Sequence, residues 1–371
     1  MTHHLHRPDG LLSFIARLSG SLGLAAACVI LAAGSSARAA AGPAPAAPAA
    51  ACRPVVAVYP SWKALALPLT AIPWERFTHL ALVFALPTAD GGLRTQELDE
   101  LLPGLRAETR KHGRKLWVSI GGANGVGDAF QALGRDAGKR QKFVEQVRRF
   151  VDTQQLDGID IDWEHWTRQH QLGQGGNDPV ESAMLVQLLA ELRAALPASV
   201  DLSASVFAGP WIGPQYLSEL QKHVSYVALM SYDFTGAWSG SAVGHHADLE
   251  TFEAATQDLL KRGFQREKIL LGLPFYGKEF IQGRTQEVRD QPYRDILSRM
   301  GADLAPLAKG QLGHTYFETP ALVKAKAEFA RDQSFAGLMM FELSMDALQS
   351  PHSLSLASMQ VISPTACGRR P

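Results

Sequence analysis

Residues 156–166 read LDGIDIDWEHW. Asp157, Asp160, Asp162 and Glu164 fall within eight residues, interleaved with Ile159, Ile161 and Trp163. Like charges this close in apolar surroundings are costly and force protons to be shared. Side chains alternate along a strand, so Asp160, Asp162 and Glu164 share one face and Ile161 and Trp163 the other. Asp157 is out of phase, precedes Gly158 and is expected to shape the strand entrance.

Working outward, similar apolar runs recur at 55–59, 79–86, 115–120, 158–163, 200–207, 224–232, 268–275 and 336–343. Nearly continuous apolar runs are the pattern of parallel strands buried on both faces. Helical patterns such as RQKFVEQVRRFVDTQ, AMLVQLLAELRAAL, FEAATQDLLKRG and PALVKAKAEFARDQ lie between most pairs. Eight strands alternating with helices predict an α/β fold, a single (β/α)8 TIM barrel. An open doubly wound sheet is the competitor, but no Gly-rich phosphate fingerprint follows the first strand. Residues 281–314 lack a clear pattern and are expected to form a small excursion over the barrel top.

In such a barrel the active site lies at the C-terminal ends of the strands. The three acids then point into the mouth, with Glu164 last and nearest a substrate. Stacked carboxyls raise at least one pKa, which a general acid working near neutrality requires. A hard-ion site with oxygen ligands and a solvated acidic edge are the plainer readings. The bulky apolar interleaving fits neither as well as a dry catalytic pocket, so no metal and no cofactor is expected.

The wider composition agrees with a soluble globular protein: 46% of the 371 residues are hydrophobic and 19% charged. Lys plus Arg and Asp plus Glu number 36 each, so no global field favours nucleic acid or an anionic membrane. Residues 1–40 read as a secretory signal peptide, with an apolar core from Leu22 to Ala33 too short for a comfortable membrane span; a non-cleaved anchor is the alternative. Residues 41–51 are an Ala/Pro linker, and 52–367 the barrel domain. After signal removal Cys52 and Cys367 are left near opposite ends of that domain. In an exported chain this predicts a disulfide joining its termini, the alternative being two unpaired thiols. The expected location is secreted or periplasmic.

DGIDIDWE resembles the D-G-x-D-x-D-x-E signature of family-18 glycoside hydrolases, the chitinase family. Other stretches resemble that family's motifs in order: Ser119-Ile120-Gly121-Gly122, Met230-Ser231-Tyr232-Asp233, Phe84 on strand two, and GLPFYGK (272–278), with Lys278 where arginine is usual. The similarity runs from about Val55 to Asp346. It implies retention through the substrate's own acetamide rather than a protein nucleophile. Glu164 is implied as acid and then base. Asp162 binds the acetamido N–H, Asp160 sets the protonation of Asp162, and Tyr232 holds the acetamido oxygen. Asp233, Met230, Phe84, Phe341, Tyr276 and Gly122 are implied around the substrate, and Trp238 as a leaving-group-side platform. Trp166 and Trp211 are as readily covers for a barrel end. His245 and His246 resemble a structural turn rather than a metal site.

The resemblance has departures. Phe341 stands where a tryptophan normally floors the −1 sugar, which predicts weaker binding or altered sugar acceptance but intact chemistry. Ala123 replaces a tryptophan after Gly122, and Val58-Tyr59 precede Trp62 in place of paired aromatics. About sixty residues between the last two strands leave no room for the family's large α+β insertion. The implied partner is chitin or another N-acetylglucosamine-containing glycan, cleaved by a shallow-clefted, endo-acting monomer. An endo-β-N-acetylglucosaminidase acting on N-glycan cores is the second reading. A chitin-binding lectin is the third; such members often lack the terminal glutamate, here present as Glu164.

Overall fold

The computed structural model describes residues 53–123, 126–164, 179–207, 215–238 and 240–363. The expected signal peptide and linker, Cys52, Cys367, Trp166 and Trp211 lie outside them. Eight parallel strands close on themselves. In chain order they are β1 (Val55–Pro60) and β2 (His79–Pro87), then, past a two-residue strand β3 (Leu93–Arg94) antiparallel to β2, β4 (Lys115–Gly121), β5 (Gly158–Asp162), β6 (Asp201–Phe207), β7 (Tyr226–Met230), β8 (Ile269–Pro274) and, last in the chain, β13 (Gly337–Phe341). Each pairs with the next, β13 returns to β1 in the register Val56↔Met339, and β1 meets β2 in the register Val56↔His79. Every barrel strand matches an apolar run in the sequence, because strands covered on both faces carry no polar side to obscure them.

Helices α1 (Leu102–Lys111), α2 (Gly127–Arg135), α3 (Ala137–Gln154), α4 (Pro179–Ala195), α5 (Leu249–Lys261), α6 (Tyr293–Met300), α7 (Pro320–Asp332) and α8 (Leu354–Met359) complete the described elements. Their starts are written locally. Asp136, Asp248 and Thr319 accept the backbone N–H of Lys139, Thr251 and Leu322, and Pro320 occupies the first turn of α7. No described helix is long and apolar enough to cross a membrane. Between β1 and β2 the helix is replaced by three 3-10 turns, at Ser61–Lys63, Leu69–Ala71 and Trp74–Arg76. Pro68 and Pro73 immediately precede the second and third of these turns. Each supplies no N–H, which keeps a longer helix from forming.

The excursion begins earlier than the sequence suggested. Strands β9 (Tyr276–Phe280), β10 (Val288–Pro292), β11 (Gln311–Leu312) and β12 (Thr315–Phe317) form an antiparallel sheet in the order β10-β9-β12-β11, with α6 between β10 and β11. These strands are short and partly exposed, so alternation gave no usable signal; β9 was read as the tail of strand β8.

The barrel floor is closed by Trp117, fully buried, with His79 at 4.8 Å and Tyr226 at 5.8 Å between ring centres. Gly158 is needed beside it: a Cβ there would lie 2.4 Å from Trp117 Nε1. Asp157 accepts the N–H of Leu116 at 2.8 Å, tying β5 to β4 at the strand entrance.

One ion pair is completely buried. Lys326 of α7 meets Glu318 and the Ala247 carbonyl, with side chains 0% and 1% exposed. Burial pushes the Lys326 ammonium down and the Glu318 carboxyl up, and only their mutual contact opposes this. Removing one partner strands a buried charge, at a cost of about 3–5 kcal/mol, whereas replacing both with apolar side chains is close to neutral. Glu318→Ala should therefore lower the unfolding free energy in urea by about that amount, and Glu318→Leu with Lys326→Met should recover most of it.

Candidate active site

The strand that opened the sequence reading lies against the barrel interior. Asp160 and Asp162 are 7% and 6% exposed, and Glu164 stands just beyond the strand end. All three line one cleft at the C-terminal mouth. Ile159, Ile161 and Trp163 face outward and are fully buried under the helices. Trp163 stacks on Phe130 of α2 at 4.8 Å and donates to Glu181 of α4. The apolar positions thus fix the strand's rotation, and with it the direction of the acids.

The neighbouring strand ends hold this arrangement. Gly122 N–H donates to the Asp162 carbonyl at 2.9 Å. A Cβ on Gly121, whose φ is +128°, would fall 2.0 Å from that same carbonyl oxygen. The double glycine therefore lets β4 close on β5. Gly122 supports the acid strand and the Phe84 ring, while Ala123 is the residue that lines the cleft.

Asp160 Oδ2 accepts two hydroxyls, from Ser119 of β4 (2.8 Å) and Ser205 of β6 (2.9 Å). Burial still dominates and pushes its carboxyl up, with the serines pulling the other way. Asp162 is pushed well above the usual carboxylate range, first by burial and then by repulsion from Glu164 and Asp160. Glu164 is reachable from the cleft yet walled closely enough for burial to be its largest influence. Its carboxyl is pushed up to about 7, with Asp233 and Asp160 adding to the rise and a hydrogen bond with Asp162 opposing it. The row behaves as one acid that keeps protons near neutrality.

Across the mouth, Tyr232 and Asp233 follow β7. Tyr232 is 4% exposed, and burial followed by the surrounding carboxylates holds its hydroxyl well above the ordinary phenol value. Asp233 adopts φ +63°, a turn that Asp tolerates better than most residues. That turn aims its carboxylate at Tyr276 Oη (2.7 Å), Lys278 Nζ (3.0 Å) and His246 Nδ1 (3.2 Å). Burial alone would raise Asp233; Lys278 and His246, with the Tyr276 hydroxyl, override it and hold the carboxyl well below the usual range. Lys278 also bridges to Asp290 of β10 at 2.9 Å. The mouth therefore carries a proton-retaining acid row on one side and a firmly ionised carboxylate on the other.

Phe84, Met230, Tyr276 and Phe341 all line the cleft. Phe341 lies nearly parallel to Tyr232, 5.9 Å between ring centres and 30° apart. Trp238 is folded over Gly236 and is not among the cleft-lining residues. His246 sits between Asp233 and the Tyr276 carbonyl, and His245 packs against Tyr316. Among the described residues no group of three or more His, Cys, Asp and Glu side chains has the arrangement of a metal site.

Several cleft residues escaped the sequence reading. Trp62, 59% exposed, stacks on Phe84 at 6.2 Å and extends the cleft wall. Its place after the first strand was a usable signal. Lys278 and His246 stood in recognised motifs, and only their convergence on Asp233 was hidden. Ser205, Asp290 and Met345 carried no local signal, since their positions depend on strand register and on the excursion.

Comparison with known proteins supports this geometry. The family model described as "Glycosyl hydrolases family 18" matches residues 55–346. A "chitinase-like effector" of Moniliophthora roreri is 31% identical over 67% of this chain and 66% of its own length. "Endochitinase 1" of Metarhizium robertsii is 29% identical over 65% of this chain and 63% of its own. The chain thus spans just under two thirds of these relatives. A chitinase structure from Bacteroides thetaiotaomicron superposes with a TM-score of 0.71 at 23% identity, covering 86% of this chain and 99% of that one. A tobacco class V chitinase solved in complex with NAG4 gives 0.70 at 19% identity, covering 84% and 99%. Both structures share the barrel fold. With the family model spanning the whole barrel, and the acid row of that family's signature assembled at its mouth, the chain belongs to glycosyl hydrolase family 18.

Proposed function

We propose that this protein is a secreted, endo-acting chitinase that hydrolyses β-1,4-linked N-acetylglucosamine polymers with retention. The observation that carries the reading is the hydrogen bond between Asp162 and Glu164, with the Glu164 carboxyl pushed up to about 7. Carboxyls in direct contact are closer than the separations of about 5 Å and about 6.5–9.5 Å used by ordinary retaining and inverting pairs. The pair cannot divide into acid and nucleophile across a sugar. It suits a route in which the sugar supplies the nucleophile.

On this reading Glu164 gives its proton to the glycosidic oxygen as the C1–O bond breaks. The acetamido oxygen of the −1 sugar attacks C1 from the opposite side and forms an oxazolinium ion. Asp162 swings its hydrogen bond to the acetamido N–H and offsets the positive charge, and Asp160 below it takes up the change in proton sharing. Tyr232 donates to the acetamido oxygen and holds it in line. Glu164, now ionised, removes a proton from water as that water attacks C1, reopening the ring and restoring the β-anomer. Asp233, held ionised by Lys278, His246 and Tyr276, accepts sugar hydroxyls, while Phe341, Phe84 and Trp62 supply stacking surfaces. Chitinase names among the relatives and oligosaccharide complexes among the structural neighbours favour chitin over N-glycan cores. The intact Glu164 favours catalysis over a lectin role.

Incubation with chitin oligomers and with a high-mannose glycoprotein, read by mass, tests the reading. Wild type should cut the oligomers at internal bonds and release β-anomers first. Release of α-anomers, or cleavage of the glycoprotein alone, would overturn it. Glu164→Gln should lose about 10²–10⁴-fold in kcat, the usual worth of a positioned acid.

The chemistry needs protonated Glu164, so kcat/KM should fall as pH rises through about 7. Stability should follow the same group. A carboxyl whose folded pKa is raised above its unfolded value stabilises the fold at low pH, and that contribution is lost as pH rises through the folded value. Glu164→Gln should therefore melt above wild type at about pH 8, and the gap should shrink by about pH 5. An unchanged gap across that range would show that Glu164 is not buried as a proton-retaining acid.

A further inference from the structure

The cavity, about 340 Å³, does not end at the carboxylate row. Beneath it the inward side chains are small or slender: Ala81, Ala228 and Ser203, with Val56 and Leu270 around them. Strand β6 stands between β5 and β7, with Asp160 opposite Ser203 and Ser205 opposite Ala228. A group held between Asp162 and Tyr232 therefore lies over Ser205, and then over Ser203 one step deeper.

Two buried polar atoms at this depth have no hydrogen-bond partner: Asp160 Oδ1 and Ser203 Oγ. Ser203 is fully buried and stands beside the Asp160 carboxyl without the geometry of a hydrogen bond. The other Asp160 oxygen is already engaged by Ser119 and Ser205. Buried polar groups without partners are costly, and an acceptor beside a free hydroxyl suits a small guest that both donates and accepts. An acetyl methyl satisfies neither atom. A hydroxyl on the same carbon satisfies both, donating to Asp160 Oδ1 and accepting from Ser203 Oγ.

We propose that the −1 subsite continues beneath the acids as an acyl chamber that accepts a hydroxylated N-acyl group, so that N-glycolyl glucosaminides are substrates alongside N-acetyl ones. The inference rests on the chitinase reading and deepens its substrate class. The bond chemistry is unchanged, because the acyl oxygen still attacks C1 and the terminal hydroxyl makes no covalent bond.

The test compares three 4-methylumbelliferyl β-chitobiosides carrying N-acetyl, N-glycolyl or N-propionyl on the −1 sugar. The N-glycolyl substrate should have a kcat/KM within about threefold of N-acetyl, with N-propionyl, equally long but unable to pair, about tenfold lower. Ser203→Ala should lower N-glycolyl turnover about tenfold and leave N-acetyl unchanged, the latter also reporting that the variant is folded. Ala228→Val, which narrows the chamber, should reduce both longer acyl groups relative to N-acetyl. N-glycolyl cleaved no better than N-propionyl, or Ser203→Ala lowering N-acetyl and N-glycolyl alike, would overturn the chamber while leaving the chitinase reading in place. No turnover of the N-acetyl substrate by wild type would overturn both.

Discussion

Three carboxyl groups on successive inward positions of one strand cannot all be ionised in a dry barrel. Each pays for desolvation and each repels the others, so the cheapest state keeps protons in the row. Much of the surrounding structure serves that constraint. Ser119 and Ser205 on the flanking strands settle the lowest acid. Gly121 and Gly122 let the adjacent strand close on the backbone of the middle one. Trp163 and Phe130 lock the strand's rotation from outside, so the acids cannot turn away from one another.

The opposite wall solves the reverse problem. Asp233 must be charged in the same enclosed mouth, and it draws a lysine, a histidine and a tyrosine from two separate segments. Carboxylates facing one cleft are thus driven to opposite protonation states by their neighbours. Environment assigns them different chemical duties, a general way for one residue type to supply both acid and base.

Barrel and acid row were legible in the sequence for the same reason. Strands buried on both faces read as unbroken apolar runs, and acids set into such a run have no structural excuse. The missing helix after β1 was less visible, since prolines at 68 and 73 merely shorten helical turns. The excursion sheet was illegible because its strands are two to five residues long and half exposed. What depends on it was lost with it, notably Asp290. Ser205 was hidden differently: a serine in a buried strand says nothing until register sets it opposite an acid. Gly122 and Trp238 show the limit of motif transfer. Their motifs are recognisable, yet here one supports the acid strand from behind and the other folds over Gly236.

The junction between barrel and excursion has a mechanical meaning. Strand β8 ends at Pro274 and β9 starts at Tyr276, so a single residue separates them. That residue, Phe275, is fully buried, with its N–H on the Phe341 carbonyl and its own carbonyl taken by Tyr293. There is no hinge there. The cleft wall carrying Tyr276 and Lys278 is welded to the barrel and does not swing aside as a lid would. A cleaved glycan therefore leaves by sliding along a rigid, open-ended trough, and turnover is governed by its grip on the aromatic surfaces rather than by a gate.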